Sequence, residues 1–511
     1  PKYLREAGYY CTNNVKQDYN YDWPENIWNN NSNKAHWRNR KDEKQPFFSV
    51  FNFTETHQSG IRKFKPKTYD PDKVPVPPYY PDNEEVKEDI ATHYETITMV
   101  DKHVGKMLEQ LKKDGLFDET IIFFYSDHGR GMPRHKRWLY DGGLHVPLII
   151  YFPEKYQHLA PAEPGETVDR LVSFLDFPPT ILSLLGIDIP DHMQGKPFLG
   201  KQKTKPRQYV HGTVGRVDEV VETSRSVRDD RYLYIRNYRP HRPKMQYSHY
   251  SEQTDTRIEL RRLAQSGELI GHARQFMLPV KPAEELYDIK ADPHQVYNLK
   301  KDPDYRNILE RMRKEYRQWS QDIRDVCLVP EPEMLRRARE AGMTIYEWRQ
   351  SNERFPHQKV LNAAELVGQS PKPEILRKKM QSTEPVVRYW AATAAIAMGE
   401  KAKPLRESLL GLLDDTSPSV RIAAAEAIAS LSYNERAINT LGSLLNHKQY
   451  WTRLYAGIAL RYLDEKAKSA VPAMGKAAEE NYDWPYLPWL LKDNIGWLEK
   501  GTPPVHGYAK Q

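Results

Sequence analysis

Cysteine, long apolar runs and a strong excess of one charge are all scarce in this sequence. Its two cysteines, Cys11 and Cys327, lie too far apart to suggest a zinc site and are too few to build a disulfide framework. No run of about 18 apolar residues occurs, so no transmembrane helix is predicted. The net charge is +7, from 76 Lys and Arg against 69 Asp and Glu, which favours anionic partners but gives no argument for nucleic acid.

The first residues of the chain indicate an incomplete start. The sequence begins at Pro1 and not at methionine, and its opening stretch PKYLREAGYY is typical of the end of a helix. No signal peptide is visible. We therefore expect this chain to be the later part of a longer protein.

Short apolar runs alternate with helical patterns up to about residue 205. Apolar residues at helical spacing predict a helix over 84–113 that ends at Gly115, and a second helix lies within 172–187. This alternation predicts an α/β sheet with helices on both faces over residues 1–205. The runs with the composition of buried strands are PFFSVFNFT (46–54), TIIFFYSDHG (120–129) and VPLIIYF (146–152).

Strand and turn signals replace this pattern after residue 205. The stretch SRSVRDDRYLYIRNYRP (224–240) predicts two strands joined by an Asp-Asp turn, and EELYDIKADPHQVYNL (284–299) predicts another strand and turn. An amphipathic helix is predicted over 304–322. We expect a small α+β subdomain over 206–330, followed by a charged helical connector over 331–356.

An internal repeat occupies the next part of the chain. PVVRYWAATAAIAMG, PSVRIAAAEAIASLS and YWTRLYAGIALRYLD align Arg388, Arg421 and Arg453 at spacings of 33 and 32 residues. A helical period of this size is typical of stacked helix pairs and resembles short HEAT repeats. We expect an all-α HEAT-like solenoid over 357–482, in which each arginine bonds the next repeat's turn, and a tail over 483–511. The solenoid either caps the chain or binds a protein partner.

Polar side chains follow the apolar runs, at strand ends where open α/β sheets bind ligands. Asp127 and His128 follow one run, and a carboxylate beside an imidazole can hold a divalent cation. The same residues also fit an ordinary turn that ends at Gly129. His57 follows the first run, where an isolated loop histidine is more often one without a chemical role.

Two further groups of charged residues can also be interpreted either as part of a site or as ordinary surface residues. The basic run RHKR (134–137) lies between two predicted strands, where its cations would suit a compact oxyanion. The alternative is a solvated loop. Lys16 and Asp18 would share one face of an extended stretch, or they are a surface lysine and a turn aspartate.

Taken together and in order, these pieces resemble the type I sulfatases of the alkaline-phosphatase superfamily. Two later stretches, DEVVETSRSVRDDRYLYIRNYRPH and ELYDIKADPHQVYNL, are similar to the heparan N-sulfatase branch. The resemblance covers roughly residues 1–325. It implies an alkaline-phosphatase-like sheet and hydrolysis of sulfate esters or sulfamates on a carbohydrate. The segments that carry it are LREAGYYCTNNVKQDYN, FFSVFNFTETHQ, TIIFFYSDHG, PRHKRWLYDGGLHVPLIIYFP, SFLDFPPTILSLLGI and MQGKPFLG.

The resemblance also implies roles for five residues. Asp127 and His128 match two ligands of the family's calcium, which makes them half of a metal site. Lys136 matches the lysine that binds the sulfate oxygens. His57 matches the histidine near the leaving oxygen, a general acid, and Lys16 matches the lysine of the family's Gly-Lys-x-His motif.

Part of the family's site departs from the pattern or has no match in this sequence. Asp18 stands where the motif has histidine, and we expect Asp18, Arg134 and His135 to contact the substrate. The family's Cys-x-Pro/Ala-x-Arg motif, whose Cys or Ser becomes formylglycine, is absent, as is the early Asp-Asp pair that completes the calcium shell. We expect both in a missing N-terminal segment, and therefore no sulfate hydrolysis by this chain alone.

Two other functions stay open from the sequence. One is a phosphoryl hydrolase of the same superfamily, although Lys136 followed by Tyr-Asp-Gly-Gly favours a sulfatase. The other is a non-catalytic pseudo-sulfatase that binds glycan or protein through its repeats. The resemblance implies a sulfated sugar or polysaccharide as ligand, no nucleic acid, and a periplasmic or secreted location.

Overall fold

The computed structural model describes residues 1–19, 24 and 26–500. These residues form two compact units whose segments alternate along the chain. The first unit contains Pro1–Pro71, Ile90–Gly131 and Val146–Val210, and the second contains Asp72–Asp89, Met132–His145 and the chain from His211 onward. No helix in the described ranges is long and apolar enough to span a bilayer.

The first unit is built on two small sheets. The parallel sheet has the order β2-β1-β3, with β1 at Tyr10–Asn14, β2 at Asn30–Asn31 and β3 at Phe47–Phe51. The second sheet is an antiparallel pair of β4 (Ile122–Tyr125) and β5 (Leu148–Tyr151). All three apolar runs that predicted strands therefore form strands, and the run at 46–54 pairs in parallel as expected.

The helices of this part of the chain also follow the sequence pattern. The helix predicted over 84–113 is present at those residues, and Gly115 follows it with a φ of +68°. The helix expected within 172–187 is present as well, with its two prolines in the first turn. The helices are α1 (Lys2–Glu6), α2 (Gln58–Lys63), α3 (Glu84–Lys113), α4 (Asp141–Leu144) and α5 (Phe177–Leu184).

Cys11 lies in β1 and belongs to the core of the first unit. It packs with Leu4 and Leu182 and is fully buried. Burial raises the pKa of the Cys11 thiol to about 11. A thiol that is neither exposed nor ionised at neutral pH is a poor nucleophile, so Cys11 is a packing residue.

The second unit contains a four-stranded sheet in the order β6-β7-β8-β9. Its strands are β6 (Val210–Val217), β7 (Val220–Arg228), β8 (Tyr232–Asn237) and β9 (Glu284–Asp288). The strands β7, β8 and β9 pair antiparallel, as the sequence predicts for its paired-strand region. Four helices accompany this sheet: α6 (Asp255–Ser266), α7 (Arg306–Asp322), α8 (Glu331–Glu340) and α9 (Ile345–Gln350).

The turn between β7 and β8 lies one residue later than predicted. The backbone N–H of Asp229 donates to the carbonyl of Tyr232 at 3.0 Å, so Asp230 and Arg231 are the central residues of the turn. The Asp229 carboxylate accepts hydrogen bonds from the backbone N–H groups of Arg231 and Tyr232, at 2.8 and 2.6 Å. These bonds hold Asp229 at the end of the ladder and leave Arg231 in the turn.

Nine α-helices follow residue 356 among the described residues, eight in the range predicted for the solenoid and the last, Tyr486–Lys500, in the range predicted for the tail. The three repeated segments lie on α12, α14 and α16, as predicted. The helices are α10 (His357–Ala364), α11 (Pro373–Met380), α12 (Pro385–Met398), α13 (Arg406–Gly411), α14 (Pro418–Leu431), α15 (Glu435–Leu444), α16 (Tyr450–Arg461), α17 (Val471–Ala478) and α18 (Tyr486–Lys500), counted within the described residues.

Two of the three aligned arginines bond the turn of the next repeat. Arg388 forms a bidentate pair with Asp415, at 2.6 and 2.8 Å. Arg453 bonds Glu480 and the hydroxyl of Tyr482. Among the residues described, the Nε of Arg421 has no hydrogen-bond partner, so the predicted link holds only for the other two repeats.

Replacing Arg388 by alanine is expected to lower the free energy of unfolding by about 2 kcal/mol, between the values for exposed and fully buried ion pairs. The side chains of Arg388 and Asp415 are only 12% and 5% exposed. The matched control is Arg436→Ala, because Arg436 and Asp414 form a pair that is 53% and 76% exposed. Urea unfolding should show almost no change for that control, and equal losses for both variants would contradict the expectation.

Candidate active site

The loop after β4 presents Asp127 and His128. The His128 Nε2 lies 3.5 Å from the Asp127 carboxylate, and the side chains are 31% and 68% exposed. The His128 Nδ1 lies 2.6 Å from the carbonyl of Gly129, and the Ser126 hydroxyl donates to the His128 carbonyl at 2.6 Å. Local bonds thus hold the loop while the carboxylate stays accessible.

His57 lies in the same unit, at the N-terminus of α2. Its Nδ1 accepts a hydrogen bond from the backbone N–H of Ser59 at 3.3 Å. Gly131 connects this helix to the Asp127 loop, since a Cβ built on Gly131 would lie 2.6 Å from the Cα of Gln58. Only glycine permits so close an approach, and it brings the loop that carries Asp127 next to the residue that follows His57.

Lys16 and Asp18 follow β1, and they bind each other. The Lys16 Nζ lies 3.2 Å from the Asp18 carboxylate, with side chains 36% and 78% exposed. Asp18 has a φ of +40°, so the backbone at Asp18 is not extended, contrary to one of the two interpretations of the sequence. The side-chain amide of Asn13 donates to the Lys16 carbonyl at 3.1 Å, which holds the backbone just before Asp18.

Arg134 lies in the second unit and is 3% exposed. Its guanidinium donates to the backbone carbonyls of His294 and Gln295. It also lies over the ring of Tyr140, 3.7 Å from the centroid. Because these internal partners hold the guanidinium, the geometry favours a positioning role for Arg134 over the expected contact with substrate.

His135 is also buried, at 8% exposure. Its Nδ1 donates to the carbonyl of Gly142 at 2.8 Å, so its Nε2 accepts from the hydroxyl of Tyr79 at 3.1 Å. A Cβ on Gly143 would lie 2.2 Å from the His135 carbonyl oxygen. The Gly-Gly pair therefore packs directly on the basic run, and His135, like Arg134, is placed to hold the loop in shape.

Lys136 is half-buried and lies within a strained stretch of backbone. Arg134 and Arg137 have φ values of +71° and +76°. Each non-glycine residue in this region costs about 1–3 kcal/mol, and such residues concentrate at functional sites. Lys136, Arg134 and His135 lie in the second unit, whereas Lys16, Asp18, His57, Asp127 and His128 lie in the first.

A buried charge network supports the basic run, and sequence reasoning missed it. Glu285 accepts hydrogen bonds from the hydroxyls of Tyr140 and Tyr287 and from the Lys244 ammonium, at 2.7, 2.6 and 2.9 Å. The side chains of Lys244 and Glu285 are 4% and 2% exposed. Burial alone would raise the pKa of Glu285, but Lys244 and these bonds outweigh it and lower the pKa to about 2.

The stability of the second unit is expected to fall as the pH drops from 4.5 towards 2. The folded-state pKa of Glu285 is depressed from 4.5 to about 2, so its contribution is present above pH 4.5 and is lost as the carboxylate protonates. Glu284, whose pKa is also lowered to about 2 with Arg313 outweighing burial, adds in the same direction. Urea unfolding as a function of pH measures this slope.

The matched variant for the pH prediction replaces Glu285 by Gln and Lys244 by Met together. It removes one titrating carboxylate without leaving a buried ammonium unpaired. Its unfolding free energy should depend less steeply on pH between 4.5 and 2 than that of the parent. An unchanged slope would show that Glu285 does not contribute.

The described residues do not form a calcium site on their own. Within residues 1–19, 24 and 26–500, no group of three or more His, Cys, Asp and Glu side chains could hold a metal ion. Asp127 and His128 supply one carboxylate and one imidazole, whereas Ca²⁺ takes about six to eight oxygen ligands. We therefore assign no catalytic step to a metal.

The loops that follow strands of the first unit carry acidic, histidine and lysine side chains, and the comparisons with known proteins match this part of the chain to an enzyme family. The sulfatase family model matches residues 6–187, and the model for the C-terminal region of N-sulphoglucosamine sulphohydrolase matches residues 132–268. HEAT repeats match residues 373–461 and 403–485. Residues 6–268 are therefore similar to sulfatases, and HEAT repeats follow them, which confirms both resemblances seen in the sequence.

Individual relatives agree with the family match. The chain is 41% identical over 372 residues to an ulvan-active sulfatase from Formosa agariphila, covering 65% of this chain and 61% of that protein. It is 28% identical over 296 residues to N-sulphoglucosamine sulphohydrolase from Homo sapiens, covering 55% and 58%. The chain thus spans about six tenths of the length of these two relatives.

One solved structure is also similar. It is that of a protein in complex with its substrate D-glucosamine-2-N,6-O-disulfate. It aligns with a TM-score of 0.39 at 15% identity and covers 64% of this chain and 82% of that one.

Proposed function

We propose that the protein hydrolyses sulfate esters of a sulfated polysaccharide. The observation that carries the proposal is the sulfatase match over residues 6–187. That range contains all five residues that the resemblance assigns to bond cleavage: Lys16, His57, Asp127, His128 and Lys136. The loops after β1, β3 and β4 hold four of them, which supports a common site at strand ends.

The proposed reaction breaks the S–O bond to the sugar and adds the elements of water. Sulfate leaves as its anion, and the sugar oxygen takes a proton. A cationic lysine, the role that the resemblance assigns to Lys16 and to Lys136, stabilises negative charge that develops on the sulfuryl oxygens. The Nδ1 atom of His57 accepts a hydrogen bond from the backbone N–H of Ser59, so neutral His57 carries its proton on Nε2. Nε2 is therefore the nitrogen that would donate a proton to the leaving oxygen.

The attacking group is proposed to come from outside this sequence. The 511 residues contain no Cys-x-Pro/Ala-x-Arg motif, and Cys11 is buried with a raised thiol pKa. We propose that a formylglycine, the group that the resemblance implies, and the remaining calcium ligands are supplied by residues that this sequence does not contain.

Two substrate classes have specific support. The relative at 41% identity is described as ulvan-active, which favours an O-sulfated polysaccharide. The match of residues 132–268 to the C-terminal region of N-sulphoglucosamine sulphohydrolase favours N-sulfated glucosamine as the second candidate. Both carry an anionic sulfate on a sugar, so the same lysines would serve either one.

The test is sulfate release by the whole protein expressed from its natural gene. Ulvan and N-sulfoglucosamine are incubated separately, and free sulfate is measured by ion chromatography. Release from ulvan supports the first substrate, and release from N-sulfoglucosamine alone supports the second. No release from either, by folded protein with calcium present, would contradict the proposal. Loss of release in EGTA and its return with Ca²⁺ is the result that the calcium proposal requires.

A further inference from the structure

We propose that the end of the solenoid carries a carbohydrate-binding surface, which we name the aromatic patch. The assignment of a sulfated polysaccharide as its ligand rests on the proposed function. The patch lies on the start of α16, the start of α18 and the segment before α18. It consists of Tyr450, Trp451, Tyr482, Trp484, Tyr486 and Trp489.

The rings of the patch contact one another and are tied together by hydrogen bonds. Trp484 stacks on Tyr486 with a centroid distance of 6.1 Å and an interplanar angle of 8°. Tyr450 contacts Tyr482 at 5.3 Å and donates its hydroxyl to the Trp484 carbonyl at 3.0 Å. The same hydroxyl accepts from the backbone N–H of Leu487 at 2.9 Å. The rings thus form a preorganised surface.

Trp484 distinguishes this surface from ordinary core packing. Its side chain is 49% exposed, although an indole of this size contributes most when its face is covered. The other five rings are only partly buried. A cluster of large rings with polar rims that remains open to solvent is typical of a binding surface and not of a core.

Ion pairs and a cation–π contact join the patch to the basic run. The Arg216 guanidinium lies 4.0 Å from the Trp451 ring centroid and 5.6 Å from that of Tyr486. Arg216 also forms a bidentate ion pair with Glu331, at 2.6 and 3.2 Å, and donates to the carbonyl of Asp218 at 2.6 Å. The Asp218 carboxylate pairs with Arg137 at 3.2 Å. Arg137 directly follows Lys136, the proposed sulfate-binding residue, and all of these residues belong to the second unit.

This arrangement fits one kind of ligand, a sulfated polysaccharide chain. The apolar faces of sugar rings can lie on aromatic rings, and the hydroxyls around them can bond polar rims. Arg216 and Arg137 are each paired with a carboxylate, so neither adds net positive charge, and binding of the sulfates of the same chain rests on the proposed role of Lys136. The patch would therefore bind sugar residues that precede or follow, along the polysaccharide, the sugar residue whose sulfate is cleaved.

The proposal is tested by affinity electrophoresis of the 511-residue chain in native gels that contain ulvan, heparan sulfate or chemically desulfated ulvan. Trp484→Ala is expected to raise the dissociation constant about tenfold, the effect of losing one good aromatic anchor. The loss should also occur with desulfated ulvan, because ring stacking does not need sulfate. Trp484→Phe keeps an aromatic face and should fall between the parent and Trp484→Ala.

The control is Tyr433→Ala, which removes an aromatic side chain that is 57% exposed and lies outside the patch. It should bind as the parent does, and thermal unfolding of all variants should coincide. Parent-like binding by Trp484→Ala, an equal loss in Tyr433→Ala, or a parent chain retarded by none of the polysaccharides would each overturn the proposal. If Trp484→Ala loses binding but the whole protein releases no sulfate, the proposed function fails and the glycan surface stands.

Discussion

Replacing Lys136 by alanine is expected to lower kcat for sulfate release by about 10²–10³-fold, the usual cost of removing one group that stabilises transition-state charge. Arg134 and Arg137, which have left-handed backbone conformations, and the contact of Gly143 with His135 define the backbone on both sides of Lys136. The effect should appear in kcat more than in KM, since charge on the sulfuryl oxygens grows as the S–O bond breaks.

Two variants separate the proposed role of Lys136 from a general effect of charge. Lys136→Arg keeps the positive charge but replaces the compact ammonium with a planar guanidinium, so it should retain part of the activity. Lys401→Ala removes an exposed lysine on the solenoid and should leave kcat unchanged. Measurements use the whole protein with ulvan and with N-sulfoglucosamine. A Lys136→Ala enzyme with the parent's kcat would exclude Lys136 from the reaction.

Replacing Asp325 by alanine is expected to cost about 3–5 kcal/mol of unfolding free energy, the range for breaking a buried ion pair. Arg225 forms a bidentate pair with Asp325, at 2.6 and 3.0 Å. The two side chains are 0% and 4% exposed. Burial would lower the pKa of Arg225, but Asp325 outweighs it and the pKa is raised. The variant would therefore leave a buried guanidinium without its carboxylate.

The control for Asp325 is an exposed pair in the same unit. Asp230 and Lys290 lie 3.6 Å apart with side chains 78% and 62% exposed, and Asp230→Ala should cost less than about 1 kcal/mol. A second comparison places Asp325→Ala in an Arg225→Met background, where the loss should be much smaller because no guanidinium is stranded. Urea unfolding gives all of these values, and equal losses for Asp325→Ala and Asp230→Ala would contradict the expectation.

Local patterns account for the parts of the fold that the sequence predicts well. The helix over Glu84–Lys113 and the strands β3, β4 and β5 follow from apolar spacing and run length, which act over a few residues. The repeat register also follows from spacing, and Arg388 bonds Asp415 in the next turn as expected. The Asp-Asp turn was misplaced by one residue, because carboxylate hydrogen bonds to the backbone are not visible in a residue pattern.

The residues of the candidate site also differ in whether local sequence patterns predict them. The sequence alone predicts three of the candidate residues, Asp127, His128 and His57, because each follows an apolar run that predicts a strand. The role of Arg134 could not be predicted, because its carbonyl partners lie about 160 residues away. The Lys244–Glu285 pair has no motif at all, and its members are 41 residues apart. Only folding brings such groups together and removes them from water.

The sequence by itself therefore determined the α/β character, the repeats, the sulfatase resemblance and the candidate residues, since these depend on local spacing and on ordered motifs. The tertiary structure alone decided which basic residues are buried, which charges pair, and that aromatic rings from two helices meet beside Arg216. The physical reason is that burial and long-range pairing depend on which distant segments pack together, and a linear pattern does not record that.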